Sequence, residues 1–172
     1  NSFSKTDEDA TFMHLKEDHM RNSQLKPAYN VQIGVSGEYI IGTDIFNNRT
    51  DYHTLIPFLE TLKKYLPKFE NIVTDAGYES EENYEYLQKN NQISYIKPQT
   101  YEKQKTKEFK NDISKRENMQ YLKDSDEYIC QNGRKLKFSC LKEKTSTSGY
   151  TSNVYVYECE NCSNCELKNK CK

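Results

Sequence analysis

The stretch Asn71-Ile72-Val73-Thr74-Asp75-Ala76-Gly77-Tyr78 decides how this chain is read. Ile72-Val73-Thr74 is a β-branched run and predicts a short buried strand that ends at Asp75. Gly77 allows a tight turn. Ser80 followed by Glu81 and Glu82 opens a helix, because a hydroxyl caps free N–H groups and acids favour a helix N-terminus. A carboxylate at the C-terminal end of a strand, just before a turn and a helix, stands where sheet-based sites form. Metal-dependent phosphoryl transfer uses such carboxylates to fix divalent ions, and hard Mg²⁺ or Mn²⁺ suits their oxygens. Taken alone, Asp75 reads more readily as a residue that caps its own turn.

Working outward, Tyr29–Val35 alternates apolar and polar residues like a half-buried strand. Ser36-Gly37-Glu38 is a turn signal, and Tyr39–Phe46 is the returning strand of a hairpin. Thr50 or Asp51 can cap a helix with one apolar stripe, Leu55, Ile56, Leu59, Leu62 and Leu66, closed by Pro67. The helix opened by Ser80 packs through Tyr84, Leu87 and Tyr86, and Ile93–Ile96 is a further strand. The order strand, strand, helix, strand, helix, strand predicts an α/β domain: a mixed sheet flanked by helices. Pro98–Ser114 lacks apolar periodicity and predicts an exposed link, with a short helix near Lys115–Leu122. Tyr128–Cys130, Lys135–Phe138 and Asn153–Tyr157 predict a small β unit that runs into a cysteine cluster. The expected organisation is thus an extended polar segment (1–27), an α/β core (28–98), a basic linker with a short helix (99–127) and a small β/cysteine-rich appendage (128–172).

Composition narrows the class. Of 172 residues 34% are hydrophobic and 30% charged, which is polar for a compact domain. The apolar material is rich in tyrosine, with 14 Tyr, 7 Phe and no Trp. The first residues lack the apolar run of a secretory signal and no run is long enough to span a bilayer, so a cytoplasmic location without a membrane partner is expected. Net charge is −1, but basic residues cluster. Between Lys97 and Arg116 seven basic residues, among them Lys97, Lys103, Lys105, Lys107 and Lys110, face three acids. Interleaved with Tyr and Phe, they suit phosphate contact, although each stretch alone reads equally as a solvated lysine face.

Several motifs in one order carry a resemblance. Val73-Thr74-Asp75-Ala76-Gly77-Tyr78 resembles the second-aspartate motif of DDE-domain transposases from bacterial insertion sequences. Thr6–Met13 and Leu25–Gln32 are similar to the runs around that family's first hairpin, and Asp51–Glu60 is similar to its first helix. The cysteine tail looks like one subgroup's insert. The resemblance implies a ribonuclease-H-like fold, three carboxylates on two Mg²⁺ or Mn²⁺ ions, DNA at the transposon ends as partner, and action as a dimer on DNA. It turns Asp75 into the second catalytic carboxylate. The first Asp of the family sits in an apolar strand, and no such strand precedes Lys26. The family's Glu follows Tyr and Arg at fixed spacing, and Arg21, Arg49, Arg116 and Arg134 all miss it. The chain is therefore expected to be an internal piece of a partial ribonuclease-H-like catalytic domain, inactive alone in strand cleavage and transfer.

Cys159, Cys162, Cys165 and Cys171 lie within 13 residues, a spacing that can surround a structural Zn²⁺ with four thiolates. Free, unligated thiols are one alternative; an iron–sulfur run is another, but the last gap is longer and no Pro follows. Cys130 and Cys140 read as ordinary strand residues, and His14, His19 and His53 receive no role. The rival to a transposase core is a non-catalytic, zinc-containing nucleic-acid-binding module in which Asp75 is only a turn residue.

Overall fold

The computed structural model describes residues 3–15 and 20–171. Asn1, Ser2, residues 16–19 (with His19) and Lys172, parts of the polar N-terminal segment and the cysteine tail, lie outside the described residues. The chain divides into two compact units, Asn1–Gln99 and Thr100–Lys172.

In the first unit a hairpin is formed by β3 (Asn30–Ser36) and β4 (Tyr39–Phe46), joined by Gly37 and Glu38 at φ of 55° and 70°. Two successive positive φ values make the tight turn whose twist matches a hairpin. Gly34 and Gly42 face each other across the ladder. Their bare surface lets α1 (Leu55–Leu62) come close: a Cβ on Gly34 would stand 3.2 Å from Phe58, and one on Gly42 would collide with Leu62. Ser80 Oγ accepts the Asn83 N–H at 3.1 Å and starts α2 (Glu81–Lys89) as expected. Helix α2 is the crossover between β5 (Asn71–Thr74) and β6 (Ile93–Ile96), which pair in parallel. Leu87 is fully buried among Leu55, Leu59, Ile72 and Ile96, with Phe69, Tyr78, Tyr84 and Tyr86 packed around them. This cluster is the main core.

Four sequence expectations change. The polar N-terminal segment holds a short ladder, β1 (Thr11–Met13) against β2 (Lys26–Ala28). The mixed sheet is not continuous: β3–β4 and β5–β6 are separate two-stranded sheets. The apolar residues of β3 face outward, with Val31, Ile33 and Val35 all exposed, while Gln32 is only 4% exposed. The glycine platform turns that face toward α1. Near residue 115 there is no α-helix but a single 3-10 turn at Arg116–Asn118, followed by β7 (Gln120–Leu122). The short helix instead precedes it as α3 (Lys107–Asn111), where Thr106 Oγ1 caps the Phe109 N–H at 3.2 Å.

The second unit is a four-stranded antiparallel sheet in the order β10 (Thr151–Cys159), β9 (Lys135–Thr145), β8 (Glu127–Ile129), β7. Tyrosines supply most of its packing. Tyr128 lies 4.7 Å from Tyr121 and 5.0 Å from Tyr157 between ring centroids. The Tyr121 and Tyr157 hydroxyls both donate to Asp126 at 2.7 Å, which satisfies their polar ends. Buried Glu127 accepts from Lys135 at 2.7 Å.

Leu87→Ala removes the side chain at the centre of the first unit. A loss of about 2–5 kcal/mol is expected in a urea unfolding titration.

Candidate active site and cysteine cluster

Asp75 stands at the C-terminal end of β5, as expected, with its side chain exposed. Its Oδ1 accepts the Gly77 N–H at 2.8 Å, so the turn and the carboxylate fix each other. Lys97 is brought to the same end of the parallel pair, where its N–H donates to the Thr74 carbonyl at 3.3 Å. Glu79 is near by and accepts the Gln99 N–H at 2.6 Å. Of the residues expected at the site, Asp75 and Lys97 are thus neighbours in the first unit. Lys103, Lys105, Lys107 and Lys110 belong to the second unit. There Lys105 lies over the Tyr101 ring at 3.8 Å and pairs with Glu102 at 3.3 Å.

Behind Asp75 is a polar network that sequence reading missed. Asp51 Oδ1 accepts from Asn30 Nδ2 at 2.7 Å and from Gln32 Nε2 at 3.3 Å. Tyr78 donates to Gln32 Oε1. Burial, followed by the negative charges of Asp51 and Asp75, pushes the Tyr78 phenol up to about 12. Asn83, fully buried on α2, donates to the Tyr78 carbonyl at 2.7 Å and to the Tyr52 carbonyl at 3.0 Å. The signal for Gln32 was its place two residues before Gly34, on the face of the glycine platform; alternation alone put it outside.

A cavity of about 350 Å³ opens beside Asp75. Gln32–Ser36 of β3 and Asn71–Thr74 of β5, continued by Asp75, line it as unbroken runs, over a floor of Leu55, Phe58, Leu59 and Leu62. Successive strand residues point to opposite faces, so an unbroken run means that the cavity meets each strand along its hydrogen-bonding edge. Those are the edges that β4 and β6 do not use.

The cysteines are free thiols. Cys159 donates to the Asn161 carbonyl at 3.6 Å, and Cys165 accepts from Asn132 Nδ2 at 3.5 Å. A hydrogen bond with Cys159, then burial, raises the Cys162 thiol; burial, then Cys165 and Cys130, raises Cys171. Among the described residues no group of three or more His, Cys, Asp or Glu side chains is placed to hold a metal ion, at Asp75 or among the thiols. As they stand, the residues do not fit the expected zinc site, and Asp75 lacks the other carboxylates of a two-metal centre.

A family model described as the transposase DDE domain matches residues 3–156. The chain belongs to the transposase DDE domain family. The matched span holds Asp75, its network and the hairpin, and ends before Cys159. Comparison with curated proteins and with solved structures returned no match. Among the described residues no helix is long and apolar enough to cross a membrane.

The Tyr78 shift has a testable sign. Its folded value lies above the unfolded value near 10, so the folded state keeps a proton that the unfolded state loses. Stability from this group is present below pH 10 and falls between pH 10 and 12. Tyr78→Phe is expected to flatten that fall in chemical unfolding measured across the interval.

Proposed function

We propose that this chain is part of the catalytic domain of a DNA transposase with a ribonuclease-H-like fold, in which Asp75 is one of three carboxylates that hold divalent metal. The observation that carries the reading is the place of Asp75: at the end of β5, beside a cavity bordered by two strand edges without partners. A central strand of about five residues, roughly 16 Å long, suits such a slot. In the intact enzyme that strand brings the first carboxylate next to Asp75, and a later helix brings the glutamate. Bound Mg²⁺ or Mn²⁺ supplies activation of the attacking oxygen and stabilisation of the leaving oxygen. Asp75 would help to hold the metal, and the Gly77 N–H fixes its carboxylate at the strand end. The attacking oxygen, from water and then from the freed DNA 3′-hydroxyl, forms a bond to phosphorus as the bridging P–O bond breaks.

Lys97, Lys103, Lys105, Lys107 and Lys110 contact the DNA backbone in this reading, on an enzyme that works as a dimer at the transposon ends. The chain alone, with one of three carboxylates, does not cleave DNA. Cys159, Cys162, Cys165 and Cys171 would hold a structural zinc ion only if the thiols drew closer than they stand.

Asp75→Asn in the full-length transposase is expected to abolish strand transfer while DNA binding persists; unchanged transposition refutes the reading. Replacing Lys103, Lys107 and Lys110 with Gln is expected to reduce the slope of log affinity against log salt by up to about 3, measured by fluorescence anisotropy. One zinc per purified chain supports the cysteine assignment, and a content well below one removes it.

A further inference from the structure

We infer that Asp51 is the positioning residue for Asp75, an inference that rests on the metal-binding role proposed for Asp75. Three segments distant in sequence meet at Gly77: strand β3, the turn before α1 and the turn after β5. Asp51 ties them together. Its Oδ1 takes the amide donors of Asn30 and Gln32 from β3 at 2.7 and 3.3 Å. Its Oδ2 lies 2.8 Å from the point where a Cβ on Gly77 would stand. The amide of that same glycine donates to Asp75 Oδ1 at 2.8 Å. Gly77 thus donates its N–H to one carboxylate, and the other occupies the space where a side chain at Gly77 would stand.

The arrangement is closed rather than accidental. Gln32, bound to Asp51, also donates to Asn30 Oδ1 at 2.7 Å and accepts from Tyr78, the residue after Gly77. Asn83 then joins the carbonyls of Tyr52 and Tyr78, the chain neighbours of Asp51 and Gly77. A small set of side chains therefore fixes the height of the Asp75 turn above the slot. The absence of a side chain at Gly77 is what lets both carboxylates approach.

The test uses the 172-residue chain with ¹⁵N-labelled amides. An amide proton bonded to a carboxylate moves downfield when the carboxylate ionises, so the Gly77 resonance reports the Asp75 contact during an acid titration. Asp51→Ala is expected to reduce the amplitude of that movement roughly twofold or more, and Asp51→Asn, which keeps an acceptor for Asn30 and Gln32, to restore most of it. An unchanged amplitude in Asp51→Ala overturns the positioning role, as does failure of Asp51→Asn to restore it. The Gly77 titration needs no metal, so its outcome decides the role of Asp51 independently of whether Asp75 holds a metal ion in the intact enzyme.

Discussion

The contact of Leu87 with Ile72 and Ile96 is the one on which the site depends. A parallel strand pair cannot be joined by a tight turn; it needs a crossover, and the crossover must bury a face against the strands. Helix α2 does this through Leu87, which is fully buried. With that side chain in place, the start of α2 is set just beyond Asp75, Ser80 caps it, and Asn83 reaches the carbonyls of Tyr52 and Tyr78. The acid at the strand end is therefore positioned by an apolar contact well inside the molecule. The polar network around Asp51 then refines that placement.

Local chemistry made the hairpin, β5, α2 and β6 readable from the residues alone. Each has a signal within a few positions: a glycine in the turn, a β-branched run, a capping serine followed by two acids. The elements that escaped have causes outside their own segment. Gln32 is buried because Gly34 and Gly42 let α1 settle on that face, so the outward direction of Val31, Ile33 and Val35 is set by a helix about twenty residues downstream. The β1 strand is only three residues long and exists through its pairing with β2. The stretch near Lys115 has helix-forming residues, but Asn118 donates to the Phe109 and Asp112 carbonyls at 2.6 and 2.9 Å and folds it back as a turn.

The place of Asp75 at the strand end was readable from its own segment, and the reach of Asp51 was not. Asp51 has the sequence context of a helix cap, and nothing within ten residues shows that its carboxylate reaches β3 on one side and Gly77 on the other. Long-range polar networks leave little trace in a single sequence because each member is an ordinary residue in its own neighbourhood. The cysteines are the opposite case. Their spacing is conspicuous, while the free thiols stand too loosely among the described residues to form a metal site.

The outward face of β3 has a consequence for handling. Val31, Ile33 and Val35 lie in a row on water, Val73 and Tyr95 are exposed on the other small sheet, and among the described residues both sheets have an edge without a strand partner. Bare backbone edges beside apolar rows are the surfaces through which chains add to one another as strands. The geometry that keeps a place open beside Asp75 therefore also exposes the kind of edge through which copies of the chain can add to one another at high concentration.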